Sequence, residues 1–244
     1  LPEAADGRTA ALEREIDAIG VVLAGRKVAS LVDLPATRDP KVLMAMSMLT
    51  DIWATTFILG DPTLARLISA TMVRWSLEHG NAAESAYGYV THAITVGPVR
   101  GDYERAYEFG KLALAVNERF DDTRRRAKIY QQFHAHVNFW RSPLATCIPY
   151  AREACRSGLE SGDFLYAAYG AATETWSAII AAQDLAQFVR DYEPTVALVE
   201  KLKNRGFADS VKIILAWARA LQGRTRGDQS LTDDTVDEAA YLDS

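Results

Sequence analysis

Two histidines two residues apart, His134 and His136, stand eleven residues before a cysteine, Cys147. Imidazole and thiolate are the ligands zinc prefers, so this trio is the first place to look for chemistry. The spacing argues against it. On a helix, residues two apart diverge by about 200°, so the two rings cannot share a face. One packed ring and one exposed ring is the plainer expectation. His79 precedes Gly80, where an imidazole at a helix C-terminus favours the terminal carbonyls. No GxxxxGK[ST], GxGxxG, GxSxG, HExxH or CxxC pattern occurs. Gly223-Arg224-Thr225 resembles a fragment of a phosphate loop, without its glycine-rich lead or its lysine. The sequence therefore nominates no catalytic, cofactor-binding or metal-ligating residue.

Binding residues are better represented. Arg124, Arg125, Arg126 and Lys128 form the one dense basic run, suited to an anion or to partner docking. Asp121 and Asp122 beside it allow the alternative of a solvated helix face. Seven aromatic residues could line a groove: Tyr87, Tyr89, Tyr103, Tyr107, Tyr166, Tyr169 and Trp176. Most fit packing between helices. Tyr89 and Tyr169 lie off the main apolar stripe of their helices and are the candidates for a ligand or interaction groove.

These residues must be positioned by helices, since no segment shows the two-residue alternation of a strand. From Gly80 to Phe120 the chain reads as a hairpin. Ala83, Ala86, Tyr87, Val90, Ala93 and Ile94 form one stripe, and Gly97-Pro98 ends that helix. Asp102 caps the next, whose stripe is Tyr103, Ala106, Tyr107, Gly110, Ala113 and Val116.

Further helices are expected from Thr9 to about Ala24, with a short element from Val28 to Leu34. Two more open at Asp39-Pro40, through Met44, Met48, Ile52 and Phe57, and at Asp61-Pro62, through Leu64, Leu67, Ile68, Met72 and Trp75. Others begin at Asp121 or Asp122, Ser142-Pro143, Asp163 and Asp184, the last kinked or broken near Pro194. A final one carries Val211, Ile214, Leu215, Ala218 and Leu221. First helices start near 40, 81, 122, 163 and 206, and second helices near 61, 101, 142 and 184, a step of about 41 residues. Hairpins in series at such a step are the signature of an all-α, TPR-like α-solenoid. The expected organisation is one repeat domain over 1–223 and an acidic tail or linker over 224–244.

Composition sets outer bounds. Of 244 residues, 49% are hydrophobic, enough for a continuous core, and the net charge of −5 argues against a nucleic-acid partner. No run reaches the ~18–20 consecutive apolar residues of a membrane span, so no membrane partner is expected. Cys147 and Cys155, about 12 Å apart if on one helix, are too distant for a disulfide. Two free thiols fit a reducing cytoplasm. The chain starts with leucine and without a secretory signal, so a piece of a longer protein is expected.

The succession LVDLPATRDP, SLEHGNAAESAYGYV, GDYERAYEFGKLALAVNERF, FWRSPL and GLESGDFLYAAYGA resembles the long helical region of very large bacterial signalling proteins. That region is itself similar to tetratricopeptide repeats. The likeness covers about residues 10 to 222. It implies a parent with protein-kinase-like, AAA-type ATPase, GAF and sensor histidine-kinase domains. It transfers no catalytic residue to this segment, because those motifs would lie in the neighbouring domains.

Three functions compete on this reading. One is a non-catalytic regulatory module that couples neighbouring domains of the same polypeptide or binds a protein partner. The second is a sensor of a small-molecule effector, an inducer. The third, an enzyme, would need carboxylate or metal constellations on facing helices, and none repeats in register.

Overall fold

A computed structural model describes residues 5–227 and 229–242. It is all-α, with 78% helix and no strand among the described residues. The chain divides into two compact units, 1–141 and 142–244, where one repeat domain and a tail are expected from sequence.

The first unit holds α1 (Ala5–Leu23), a 3₁₀ segment (Val28–Asp33), α2 (Pro40–Ile58), α3 (Pro62–His79), α4 (Ser85–Ile94), α5 (Tyr103–Phe120) and α6 (Thr123–His136). Caps explain the starts. Asp39 accepts from the Lys41 amide at 2.8 Å, Asp61 from Leu64 at 2.9 Å and Asp102 from Arg105 at 3.0 Å. Asp121 instead closes α5 in the left-handed region, φ 46°, a conformation aspartate tolerates better than most residues. Asp122 stands before α6, but its carboxylate goes to Arg125 rather than to a backbone amide.

Gly97-Pro98 does not end its helix outright. The α-helical ladder stops at Ile94, and a π-helical turn, Thr95–Val99, carries the chain through Pro98. Proline lacks the N–H that an α-helical turn would use, and a widened turn accommodates the loss. Pro194, by contrast, lies inside α9 (Leu185–Lys201) in the second unit without breaking it, where a kink or a break is expected from sequence.

The core of the first unit centres on α4, which packs on α3, α5 and α6. Every residue from Ser85 to Ala93 is buried. A helix covered on all sides has no solvent face, so its off-stripe residues are interior too. Ile68, Met72, Tyr87, Val90, Phe109, Ala113, Ile129 and Phe133 fill the space between these helices.

The segment before α2 is tied down by polar contacts. Gly80, at φ 91°, lets the chain turn so closely that a Cβ there would lie 2.2 Å from the Pro35 carbonyl oxygen. The Asn81 amide donates to that same oxygen at 2.8 Å, and Thr37 donates back to the Asn81 carbonyl at 2.9 Å. Arg119 on α5 donates to the Val32 carbonyl and, at 2.7 Å, to that of Leu34.

The second unit holds a 3₁₀ turn (Leu144–Cys147), α7 (Ile148–Ser161), α8 (Phe164–Ala181), α9, α10 (Arg205–Ala220) and a short α11 (Glu238–Leu242). Cys147 thus falls in the 3₁₀ turn and Cys155 on α7, both as free thiols. Helices α7 and α8 approach closely: a Cβ on Gly170 would lie 2.7 Å from the Cys155 amide nitrogen. One apolar cluster joins Ile179, Phe188, Val211, Ile214 and Leu215, and a second joins Ala168, Ala171, Val199 and Ala208.

The acidic segment after α10 is folded rather than fully solvated. Arg219 donates to Asp233 at 3.0 Å, and Val236 is buried. Asp233 in turn accepts from the Thr235 and Val236 amides. Burial works against its charge, but these hydrogen bonds and the Arg219 guanidinium hold its carboxyl below the usual range.

Candidate functional site

The residues nominated from sequence separate sharply by position. Tyr89 is fully buried, so it lines no groove: its hydroxyl donates to Asn81 Oδ1 at 2.8 Å. Burial raises its pKa and keeps the phenol neutral. Tyr87 is buried as well, and the Trp53 ring meets it edge-on at 5.6 Å. Tyr166 is buried, while Tyr103 and Tyr107 are half-buried against Trp140 and Phe133. Tyr169 is half-buried, with its ring 4.6 Å from that of Phe207 on α10. Trp176 is exposed along one edge and donates to Ser210 Oγ at 3.1 Å.

The basic run is largely neutralised from within. Arg125 is bound by Glu84 at 2.5 Å and by Asp122 at 2.9 Å, with its side chain only 13% exposed. Arg126 is held by Asn117 Oδ1 and Asp121, each at 3.2 Å. Arg124 alone of the three arginines is exposed. These residues therefore do not make a continuous anion-binding patch. Arg125 acts as a strut between α6 and the turn before α4.

His92 and His134 are buried in the core of the first unit. His92 is buried against Phe109, and burial together with the Arg100 and Arg105 charges pushes its pKa down to about 4. His134 is buried and its pKa is pushed down to about 3 by the same effect and by His136. Among the described residues, no three His, Cys, Asp or Glu side chains stand where they could hold a metal ion.

A different surface stands out. On α2 the apolar residues that mark the helix in the sequence, Met44, Met48, Ile52 and Phe57, are all exposed. The core face is Val42, Met46, Thr50, Trp53 and Thr56. Met44 is 65% exposed and Met48 57%, and the outward row continues through Ile52 to Ile58 and Leu59. α2 is apolar on both faces, so periodicity alone could not choose between them. By length and composition it is also the one described helix that could cross a membrane, with mean hydropathy 1.2 over its apolar window.

On another side of the same helix is a small apolar pocket of about 70 Å³. Trp53 and Phe57, stacked 5.3 Å apart, form one wall, and the π-helical turn with Pro98 and Val99 forms another. The Trp53 indole is satisfied internally, donating to Ser69 Oγ at 2.8 Å.

No family model matches the chain, and neither a curated protein nor a solved structure does. Function must be argued from these surfaces.

Proposed function

We propose that this chain is a non-catalytic, TPR-like α-solenoid that docks protein partners within a bacterial signal-transduction ATPase or sensor kinase, coupling its neighbouring domains. The observation that carries this reading is the outward apolar row of α2. Met44, Met48 and Ile52 follow one another at four-residue steps, the spacing of a ridge that seats in a partner helix's groove. Contiguous exposed apolar surface of this kind marks an interaction site, and methionine side chains adapt to the shape they meet. Within each unit, successive helices pack on one another, which supports a stacked array. α2, α3, α4, α5 and α6 pair in succession and α4 also touches α2 and α6; α7 to α10 pair in succession and α8 also touches α10. Helices start at Pro40, Ser85, Thr123, Phe164 and Arg205, with Pro62, Tyr103, Ile148 and Leu185 between them, so alternate starts lie 37 to 45 residues apart, in keeping with a step near 41.

Site-specific photo-crosslinking from position 48 in host cells tests this. The expected result is a protein adduct, identified by mass spectrometry as a domain of a signalling protein. Crosslinks to lipid, or no adduct from positions 44 and 48, would overturn it. A second reading, the small-molecule sensor, is favoured by one specific feature of the second unit.

A further inference from the structure

Three helices of the second unit converge on one carboxylate. Glu174 on α8 accepts through Oε1 from Arg152 on α7 at 2.8 Å and from the Tyr192 hydroxyl on α9 at 3.0 Å. Its side chain is mostly buried, and Oε2 receives no hydrogen bond among the described residues. Beside it opens a cleft of about 300 Å³. Asp191 and Thr195 line the same cleft, and so do Ala171 and Leu198. Asp191 uses one oxygen to accept from Gln187 at 2.5 Å, which leaves the other. Burial, then the Glu174 charge, raises the Tyr192 phenol to about 12, and the same two causes raise the Cys155 thiol, so both stay neutral at physiological pH.

The formal balance is two carboxylates against one guanidinium, and that guanidinium is already engaged with Glu174. Three acceptors remain: Glu174 Oε2, the second Asp191 oxygen and the Thr195 hydroxyl. A primary ammonium carries three N–H donors and no acceptor. Ala171 and Leu198 offer an apolar wall for a short stem. We propose that this cleft binds a small primary alkylammonium ligand, its head held by Glu174, Asp191 and Thr195 and its stem laid against Ala171 and Leu198. The inference rests on the sensor reading and is independent of whether the α2 face docks a partner.

The probe is n-butylammonium chloride, with n-butanol and sodium butyrate as matched controls, titrated into the whole chain by calorimetry and followed by amide NMR. Butylammonium is expected to saturate, to bind at least about tenfold more tightly than butanol, and to shift the amides of Ala171, Thr195 and Leu198. Asp191→Asn, at an exposed position, should keep the thermal midpoint and weaken binding about tenfold, as expected for loss of a charged hydrogen-bond acceptor. Glu174→Gln should abolish saturation, with its fold checked by circular dichroism. Equal binding of butanol or butyrate, saturation untouched by Asp191→Asn, or no saturable butylammonium binding would each overturn the proposal. None of these outcomes bears on crosslinking from α2, so the two readings fail separately.

Discussion

The Tyr89 hydroxyl donates to Asn81 Oδ1 at 2.8 Å, and the Asn81 side-chain amide passes the interaction on to the Leu31 carbonyl, also at 2.8 Å. This two-step relay ties the centre of α4 to the 3₁₀ segment before α2. Tyr89 and Asn81 are both fully buried, so neither partner can fall back on water. Tyr89→Phe removes the donor and leaves Asn81 Oδ1 buried and unpaired, a loss of about 1–3 kcal/mol. Asn81→Ala also strips the Leu31 carbonyl of its donor and should cost more. Urea unfolding followed by tryptophan fluorescence measures both. A Tyr89→Phe variant as stable as the wild type would remove the relay from the account of the core.

Gly80 is where that relay meets the backbone. Its φ of 91° disfavours any L side chain, and a methyl group there would collide with the Pro35 carbonyl that accepts from Asn81. Gly80→Ala should therefore cost roughly 2 kcal/mol or more. Gly101, also at positive φ, has open space around its Cβ position. Gly101→Ala should suffer only the conformational penalty, and the difference between the two variants isolates the steric part.

The helices and many of their caps were legible in the sequence because most starts carry their own local signal, whereas α4 and α7 begin after Glu84 and Cys147 with no side-chain cap. Asp39, Asp61, Asp102, Asp163 and Asp184 all accept from amides of the turn that follows. What periodicity could not supply was which face of an apolar helix points inward. α2 offers Met44, Met48 and Ile52 on one side and Val42, Met46 and Trp53 on the other, and only its packing on α3 decides. Tyr89 misled for the opposite reason. A residue off the main stripe is exposed on a surface helix, but α4 is enclosed on every side. The Glu174 cleft had no sequence signature, since Arg152, Glu174 and Tyr192 come from three helices and no motif spacing links them.

Arg125 and Arg124 are adjacent in sequence and should behave oppositely. Arg125 sits between Glu84 and Asp122, whose side chains are also largely removed from solvent. Arg125→Gln leaves two carboxylates facing each other with no cation, and the fold should lose about 2–4 kcal/mol, somewhat below the cost at a fully buried pair. Arg124→Gln, on an exposed side chain, should stay within about 0.5 kcal/mol. Thermal melts of the two variants compare them directly. A larger loss for Arg124 would mean that the run is organised around a different residue.

The buried histidines set a pH dependence whose sign can be worked out. His92 and His134 are neutral in the fold, with pKa values pushed down to about 4 and about 3 by burial, and by the positive charges of Arg100 and Arg105 in the first case. Unfolded, each titrates near the ordinary value of about 6.5. The unfolded chain therefore binds protons that the folded chain refuses as pH falls below about 6.5. The stability these groups support is fully present above that value and is lost progressively towards pH 4. Each histidine can contribute a slope of up to about 1.4 kcal/mol per pH unit in this window. His136, lowered by burial as well, acts in the same sense. Urea titrations at pH 7.5, 6.5, 5.5 and 5.0 should show the loss, and the upper half of that window precedes most carboxylate protonation. His92→Gln should flatten the curve by one histidine's share, even if it lowers stability at pH 7.5 by disturbing the contact with Phe109. A variant curve parallel to the wild type would show that His92 gains a proton in the fold as readily as it does unfolded, and would place a compensating acceptor beside it.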